Sequence, residues 1–564
     1  MAIGLSQLEG EMERRDRMRG EGAEQQRLNR RTVLRAGLAG VGMAVAGPLW
    51  LPKVARAANA PVSGGDLVVG VATSYIDVLD PNVTAQTVAH EVMMPMFDTL
   101  VYQDRQGKFW PGLAKAWTIA PNGLSYTFTL QSGVTFHDGT PFDAAAVKFN
   151  FDRMVASATK SRLAGPRLSG FYQSSQVVDP HTVIIKFQQP NGSFMTDLSQ
   201  DFMAMLSPAA VQKYGPDGIG QHPVGTGPFK FVEWVQNSHI KVTRNDAYRW
   251  ASPMFTHQGP AYLNTITYNI IPDNGARTAA LQAGEINFDD DVPTIDFISL
   301  KNDPSYKTYD IEQPGIPYVY MISTKRPPTD ELAVRQAINY AVDKKTIIQT
   351  LYQGLYTPAY GPLSPVTFAY NPEVETLYPF STSKAEQLLE SAGWKVGSDG
   401  IRVKNGQRLE INHYVFTDTN VAQAMQAQLK TVGIKSNITL LDVGAVNEAA
   451  TRGEVTNLAP LPFRDADPSV LSVALSIKNV GKGFAWTFHN DHVLDNELTL
   501  GQAATDPAQR KVHYFKAQML AMQDALLIPI YNEAGLQASA ARVQNVTFDV
   551  KGVDPWTYDI WLSH

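Results

Sequence analysis

Apolar and polar positions change their period several times along the chain after residue 60, which predicts a mixture of strands and helices. The run DLVVGVA at 66–72 is almost continuously apolar, as expected for a buried strand. The run YTFTLQSG at 126–133 alternates apolar and polar residues, which predicts a half-buried strand before the turn HDGTP. After Asp143, the run AAAVKFNFDRMV predicts a helix.

The later half of the chain predicts an α/β lobe. Residues 330–342 have the spacing of an amphipathic helix. The capping box at 383–386 predicts the start of a helix that Gly393 ends. A strand at 409–416, a helix ending at Gly433 and a strand at 434–443 then form a βαβ unit with parallel strands. We therefore expect an α/β lobe within residues 320–530.

The N-terminal segment has the pattern of an export signal. Residues 36–51 are uncharged and long enough for a signal-peptide apolar region, but short for a membrane span. Ala55 and Ala57 form an A-x-A pattern, which predicts cleavage before Ala58; cleavage after Ala60 is the alternative. We expect residues 1–57 to be a removable signal peptide.

Two adjacent arginines refine this prediction. Arg30 and Arg31, in the context NRRTVLR, resemble the core of a twin-arginine export signal. The alternative is an ordinary secretory signal in which the doubled arginine is incidental. The sequence has no cysteine, so the protein has neither an acylated-cysteine anchor nor a disulfide. We expect a periplasmic protein by either route.

Net charge indicates which classes of partner are disfavoured, and chain length indicates the number of subdomains. Residues 1–57 hold ten Lys and Arg and six Asp and Glu, so the remaining chain has 38 basic and 48 acidic residues. This net charge of −10 disfavours nucleic acid and anionic membranes, which need clustered basic surface. Roughly 500 residues exceed what a single core supports, so two or three subdomains are expected.

Several segments of the mature chain resemble a known family. GLAKAWTIAPNGLSYTFTLQSGVTFHDGTPFDAAAVKFNFDR at 112–153 is similar to the signature region of the extracytoplasmic solute-binding proteins of peptide, nickel and opine importers. Gln131 and Ala145 depart from that signature, where a basic and an acidic residue are usual. Further blocks agree in order and spacing, at 223–234, 277–288, 331–347 and 506–533.

The resemblance implies an α/β fold, a two-lobed periplasmic binding protein of type II (a Venus flytrap) with an extra subdomain in lobe I. The expected boundaries are lobe I at 58–90, 239–317 and 536–564, its extension at 91–238, and lobe II at 318–535. It also implies a ligand buried between the lobes and a partner permease of an ABC importer in the inner membrane. We expect a monomer with no nucleic-acid partner, no cofactor and no metal.

In peptide-binding members of the family, an aspartate in a loop of lobe II holds the ligand's free amine. The matching stretch here is LPFRDADPSVL at 461–471. Asp467 followed by Pro468 is typical of a helix cap with proline at the first helical position. Asp465 precedes this cap, so it is either the ligand-facing carboxylate or a solvated loop carboxylate.

Other candidate ligand contacts surround this loop or follow the first strand. Phe463 offers an aromatic wall where the family commonly has tryptophan. Arg464 is a candidate partner for a ligand carboxylate, or else a surface arginine. Trp486 either stacks on ligand or packs in the core. Ser74 and Tyr75, after the first strand, are ligand contacts by resemblance or simply turn residues.

Some features favour other ligands or other functions. The stretch HYVFTDTNVAQ lacks the arginine that holds a dipeptide carboxylate in some relatives, which makes an opine or sugar-conjugate receptor the main alternative. A nickel-chelate receptor lacks a well-placed histidine, since His489 and His492 are expected to face solvent. The residues at 289–291 are expected to form a helix-capping turn. An exported hydrolase or a periplasmic folding helper would need a nucleophile–base set or a large apolar groove, and the sequence has no nucleophile elbow or zinc-protease motif.

Overall fold

The computed structural model describes residues 60–416, 419–453 and 456–563. The predicted signal peptide at 1–57 lies outside the described residues. Among the residues described, no helix is long and apolar enough to cross a membrane.

A seven-stranded mixed sheet, the first sheet, combines strands from residues 66–312 with one strand from near the C-terminal end of the described chain. Its strand order is Tyr306–Glu312, Ala534–Ala540, Phe288–Asp289, Asp66–Val71, Thr265–Ile270, His239–Arg244 and Phe229–Val235. The strand Asp66–Val71 lies in the interior of the sheet, parallel to Thr265–Ile270, with Val69 opposite Tyr268. This matches the buried strand that the apolar run predicts.

A six-stranded sheet, the second sheet, is built from the later half of the chain. Its strand order is Thr357–Pro358, Leu527–Asn532, Tyr318–Ile322, Leu458–Pro460, Glu410–Val415 and Lys435–Leu440. Glu410–Val415 and Lys435–Leu440 pair in parallel and are joined by the helix Asn420–Thr431. The predicted βαβ unit is therefore confirmed.

A four-stranded antiparallel sheet, the third sheet, lies in the sequence between the first-sheet strands Asp66–Val71 and Phe229–Val235. Its order is Ala114–Ile119, Ser125–Leu130, Thr182–Phe187 and Tyr172–Asp179. Smaller sheets pair Val101–Gln103 with Phe109–Pro111, Gly315–Ile316 with Phe463–Arg464, Val543–Gln544 with Trp561–Leu562, and Lys395–Val396 with Arg402–Lys404 and Gln407–Arg408.

The α-helices cover the faces of these sheets. They are Thr87–Met93, Ala144–Val155, Ala164–Leu168, Phe194–Leu198, Pro208–Gly218, Asn274–Ala283, Thr294–Lys301, Leu332–Ala341, Lys344–Tyr352, Thr382–Ser391, Asn420–Thr431, Val443–Arg452, Val470–Leu475, His492–Ala503 and Pro507–Gln523.

Capping explains where two predicted helices begin. Asp143 accepts a hydrogen bond from the Ala146 N–H and starts the helix Ala144–Val155, as predicted. The next helix is capped by Ser381 rather than by the predicted Ser383, because the Ser381 side chain accepts from the Lys384 N–H, and the helix begins at Thr382.

The cores separate along the same lines as the sheets. Side chains of the first and third sheets share one apolar core. A smaller core, which includes Leu281, Phe297 and Leu536, lies against other residues of the first sheet. In the second sheet, the strand Tyr318–Ile322 contributes to two cores, because alternate side chains point to opposite faces. Tyr318, Tyr320 and Ile322 pack into one core, while Val319 and Met321 pack into another.

The chain passes between the first and second sheets at residues 313–317 and again at Glu533. A stack of tyrosine rings lies beside these crossings. Tyr318 and Tyr531 stack with ring centres 4.8 Å apart and planes 5° apart. Tyr356 covers Tyr531 in the same way at 4.9 Å and 11°. The stack ties the crossing strands of the second sheet to one another.

Candidate functional site

The loop around Asp465 is positioned by a short pairing of strands at the crossing. Phe463–Arg464 pairs antiparallel with Gly315–Ile316, and the Asp465 N–H donates to the Pro314 carbonyl at 3.2 Å. Gly315 has a φ of +108°, and a Cβ there would lie 2.3 Å from the Phe463 carbonyl oxygen. Only glycine fits this close approach, which fixes the loop against the crossing.

The Asp465 side chain is held by contacts from two parts of the chain. It is 8 % exposed. One carboxylate oxygen accepts the Asp467 N–H at 2.9 Å, and the other accepts from Arg167 Nη2 at 2.5 Å. Asp465 is therefore a buried, paired carboxylate rather than a solvated loop residue.

Arg167 also binds a second carboxylate. Its Nη1 donates to Asp197 Oδ1 at 2.7 Å, and the Asp197 side chain is 3 % exposed. Burial raises the pKa of Asp197 to about 7 against the opposing effect of Arg167, and the carboxylates of Asp465 and Asp467 raise it as well. The guanidinium of Arg167 is thus paired with two nearly buried carboxylates, Asp465 and Asp197.

Asp467 has a separate partner. Arg510 donates to both of its carboxylate oxygens, at 2.9 and 2.7 Å, and both side chains are almost fully buried. Burial alone would raise the pKa of Asp467, but Arg510 holds it below its usual value. The prediction of a structural Asp467 is confirmed. Its Oδ1 accepts the Ser469 N–H at 2.9 Å, so the carboxylate caps the turn that leads into the helix, but the helix begins at Val470, two residues after the predicted start at Pro468.

The other predicted contacts near the loop have different degrees of exposure. Phe463 is half-buried and meets Phe484 edge-on at 5.4 Å. Phe484 in turn meets Trp486, which is 3 % exposed and donates its N–H to the Gly483 carbonyl at 2.8 Å. Trp486 therefore has a core position behind the aromatic wall that Phe463 presents.

Arg464 is the exposed cation of this loop. Its side chain is 47 % exposed, and its Nε lies 3.8 Å from Glu533 Oε2, at the second crossing. An exposed arginine with one distant carboxylate is free to bind an anionic group of a solute.

Ser74 and Tyr75 lie in the loop that follows the strand Asp66–Val71. Both are exposed, Tyr75 to 58 %. The loop is held locally, since Thr73 Oγ1 donates to the Tyr75 carbonyl at 2.7 Å and Gln86 donates to the same oxygen at 2.8 Å. The ring of Tyr75 is thus presented to solvent at the end of a central strand. The roles of all six candidate residues stay predictions.

Two other predictions are wrong. His489 is 7 % exposed, and its Nε2 lies 2.7 Å from the Leu475 carbonyl oxygen, whereas His492 does face solvent. Asp289 forms no helix cap but pairs with Arg277 at 2.6 Å, where both side chains are fully buried. Within the described residues, no group of three or more His, Cys, Asp or Glu side chains has the arrangement of a metal site.

Like Arg510, Arg167 is a partner of this loop that the sequence does not indicate. It is 298 positions from Asp465 in the chain, and its own surroundings, SRLAGPRLSG, carry no motif. Its partner loop was predicted, but no local pattern indicates which cation lies opposite it.

Comparison with known proteins identifies the kind of protein that carries this site. Residues 108–458 match the family described as bacterial extracellular solute-binding proteins, family 5 Middle. The chain belongs to this family. It is also 31 % identical over 497 residues to the glutathione-binding protein GsiB of Salmonella paratyphi A, which covers 86 % of this chain and 93 % of that protein.

Solved structures share the fold. NikA from Brucella suis, in complex with Fe(III)-EDTA, has a TM-score of 0.77 at 25 % identity and covers 88 % of this chain and 100 % of that one. DppA from Helicobacter pylori, in complex with peptide STSA, has a TM-score of 0.71 at 24 % identity and covers 89 % of this chain and 98 % of that one. The predicted two-lobed α/β fold and the predicted class of solute-binding transport component are confirmed.

Proposed function

We propose that this protein is the periplasmic receptor of an ABC importer for a short peptide or peptide-like solute, which it delivers to the inner-membrane permease. The relationship to a glutathione-binding protein over 93 % of that protein's length carries the proposal. Glutathione is a small peptide-like solute with two carboxylates and one amine. Exposed Arg464 and half-buried Phe463 offer a cation and an apolar wall to such a molecule.

Capture would use closure between the lobes. Contacts from both lobes to one solute exist only when the lobes are together, so the solute shifts the open–closed equilibrium by its differential affinity for the closed form. The permease would recognise that closed form. No bond of the solute is made or broken in this cycle.

The identity of the solute is tested by what copurifies with the protein. Mass spectrometry of the small molecules released on denaturation should find a peptide or a γ-linked peptide such as glutathione. Calorimetric titration of the refolded protein with that compound should then show one site per chain. Copurification and tight binding of a compound without a peptide bond would contradict the proposed class.

An opine or sugar conjugate is the second candidate, because the chain has no arginine directly after the strand Glu410–Val415 to hold a dipeptide carboxylate. The same mass spectrum distinguishes it. A titration series with glutathione, trialanine and an opine ranks the classes, and the tightest binder identifies the physiological one.

The proposal includes export through the twin-arginine route and an N-terminus at or near Ala58. Replacing Arg30 and Arg31 together by lysine should leave the protein in the cytoplasm. N-terminal sequencing of the periplasmic fraction checks the cleavage site, and normal export of the double-lysine variant would indicate the ordinary secretory route.

A further inference from the structure

Arg167 joins two parts of the molecule that are otherwise packed separately. Its helix, Ala164–Leu168, is fixed by Ala164 and Leu168 in the core of the first and third sheets. The loop that carries Asp465 is bounded by Leu461 and Val470, which belong to a core of the second sheet. The ion pair between Arg167 and Asp465 is thus a contact between two bodies.

Arg167 is the positive charge that pairs with both Asp465 and Asp197. Asp197, Asp465 and Asp467 are buried, and within the described residues their guanidinium partners are Arg167, which is 29 % exposed, and Arg510. Arg510 donates both Nη groups to Asp467 and its Nε to the Gly501 carbonyl at 3.2 Å, so its charge is already paired with Asp467. Arg167 is therefore the counter-ion that Asp465 and Asp197 share, and either acid would be costly to bury without it.

A ligand ammonium and the Arg167 guanidinium are competing partners for the same carboxylate. One oxygen of Asp465 is occupied by the Asp467 N–H and the other by Arg167. An ammonium placed there exchanges one charged hydrogen bond for another, so most of the binding energy it would gain at an unpaired aspartate is lost.

We propose that Arg167 is a specificity-determining residue, an internal cation that competes with the solute for Asp465 and lowers the affinity for solutes that present a free ammonium there. This rests on the proposed function, because it concerns a peptide-like solute bound beside Asp465. The favoured solutes are those whose end at Asp465 is blocked, neutral or anionic. Discrimination arises because the solute must displace a guanidinium that the protein already holds in place.

The test uses two peptides that differ only in the ammonium group, trialanine and N-acetyl-trialanine, titrated calorimetrically. Arg167→Met should bind trialanine at least tenfold more tightly than the wild type does, while the affinity for N-acetyl-trialanine changes less than twofold. Arg162→Met is the matched control. Arg162 lies five residues earlier, is 60 % exposed in its side chain and pairs with Asp77 at 3.2 Å. It should change neither affinity.

A second variant, Arg167→Gln, provides the test if Arg167→Met does not fold. Arg167→Gln keeps an amide that can donate to Asp465 or Asp197, and a proton taken up by Asp197 offsets the lost charge, so this variant should fold and show the same gain in smaller degree. Adding Asp465→Asn to either variant should abolish the gain. Near-ultraviolet circular dichroism checks that each protein is folded.

Three results would overturn the proposal: equal changes for both peptides, weaker binding of trialanine by Arg167→Met, or no binding of trialanine by any folded variant. The proposed function is judged independently by the copurified compound. If a peptide copurifies but Arg167→Met does not bind trialanine more tightly, the proposed receptor function is retained and the proposed competition between Arg167 and the solute is rejected.

Discussion

Asp465 and Asp467 show how two identical side chains, two residues apart, acquire different roles. Asp467 and Arg510 form an almost fully buried pair, whereas Asp465 shares an arginine that is 29 % exposed in its side chain. The first pair belongs to the folded core of one body. The second lies at the contact between two bodies, where a solute can interfere with it.

Breaking the buried pair should cost stability. We expect Asp467→Asn to lower the free energy of unfolding by about 3–5 kcal/mol, because it leaves the Arg510 charge buried without its partner. Urea unfolding followed by circular dichroism measures the loss. The double variant Asp467→Asn with Arg510→Gln should lose less than the sum of the two single variants; strict additivity would mean that the pair is not coupled.

The loss for Asp465→Asn should be smaller, because Arg167 keeps its contact with Asp197 and remains partly solvated. This neighbour is the matched control for the Asp467 variant. A larger loss for Asp465→Asn than for Asp467→Asn would reverse the assignment of the two aspartates.

The buried His413 makes the free energy of unfolding depend on pH. The residue is fully buried on the strand Glu410–Val415, with Nδ1 3.3 Å from Ser436 Oγ and its ring edge-on to Tyr320. Burial lowers the pKa of His413 to about 3. The unfolded chain takes up a proton below its ordinary pKa of about 6.5, so the stabilisation by neutral His413 is complete above that pH and is lost as the pH falls toward 3.

Lowering the pH from 7.5 to 5 should therefore reduce the contribution of His413 to the free energy of unfolding by about 2 kcal/mol. His413→Gln, although less stable overall, should lose correspondingly less over the same interval. Urea titrations at both pH values give the difference, with exposed His492→Gln as the control. An unchanged pH dependence in the His413 variant would show that this histidine does not titrate on unfolding.

How far the residues of the site could be predicted depends on how local their signals are. The loop 461–471 could be located from the sequence by resemblance, and its aromatic and charged residues with it. The partners Arg167 and Arg510 could not, because each lies on an element whose placement depends on tertiary packing. His489 was expected in solvent because its neighbours are polar, yet its ring reaches a helix carbonyl and is buried.

At the scale of elements, one close contact holds the loop 190–193 against the end of the helix His492–Ala503. The Gly192 N–H donates to the Gln502 carbonyl at 2.8 Å. A Cβ at Gly192 would lie 2.0 Å from the Ala504 carbonyl oxygen, a separation that no side chain tolerates. This contact joins the same two bodies as Arg167 does, but through backbone rather than charge.

Gly192→Ala should push this loop and helix apart without changing any charge. We expect the hydrogen bond to Gln502 to be lost and the amide of Gly192 to exchange with deuterium at least tenfold faster. Hydrogen exchange with mass spectrometry checks this. Gly275→Ala is the control, because its added Cβ would meet only Asp273 Oδ1 at 3.5 Å inside a helix, where alanine stabilises. Equal exchange in the two variants would contradict the close contact.

Elements with periodic or capping signals were predicted well. The strand Asp66–Val71, the helix after Asp143 and the parallel pair around Asn420–Thr431 all follow from spacing and caps. The helix-capping turn expected at 289–291 is not formed. Its aspartates pair with Arg277 instead, and the following helix begins after Pro293. A buried ion pair has no periodicity, so the sequence could not indicate it.

At the scale of the whole molecule, the described chain passes between the first and second sheets at two crossings, and the contacts of Arg167 and Gly192 also join the two bodies. Closure on a solute would be a rotation about the crossings that makes and breaks such contacts. Saturation with the copurified solute should reduce the radius of gyration measured by small-angle scattering. An unchanged radius, with binding confirmed by calorimetry, would contradict closure.

The tyrosine stack determines where such a rotation takes place. Tyr318, Tyr531 and Tyr356 lock the two crossing strands into the second sheet up to Asn532, so these strands move with that sheet as one rigid piece. We therefore predict that a rotation between the two sheets is taken up on the other side of the stack, in residues 313–317 and at Glu533. Gly315 lies in the first of these segments, so we expect its backbone torsions to change when the molecule opens.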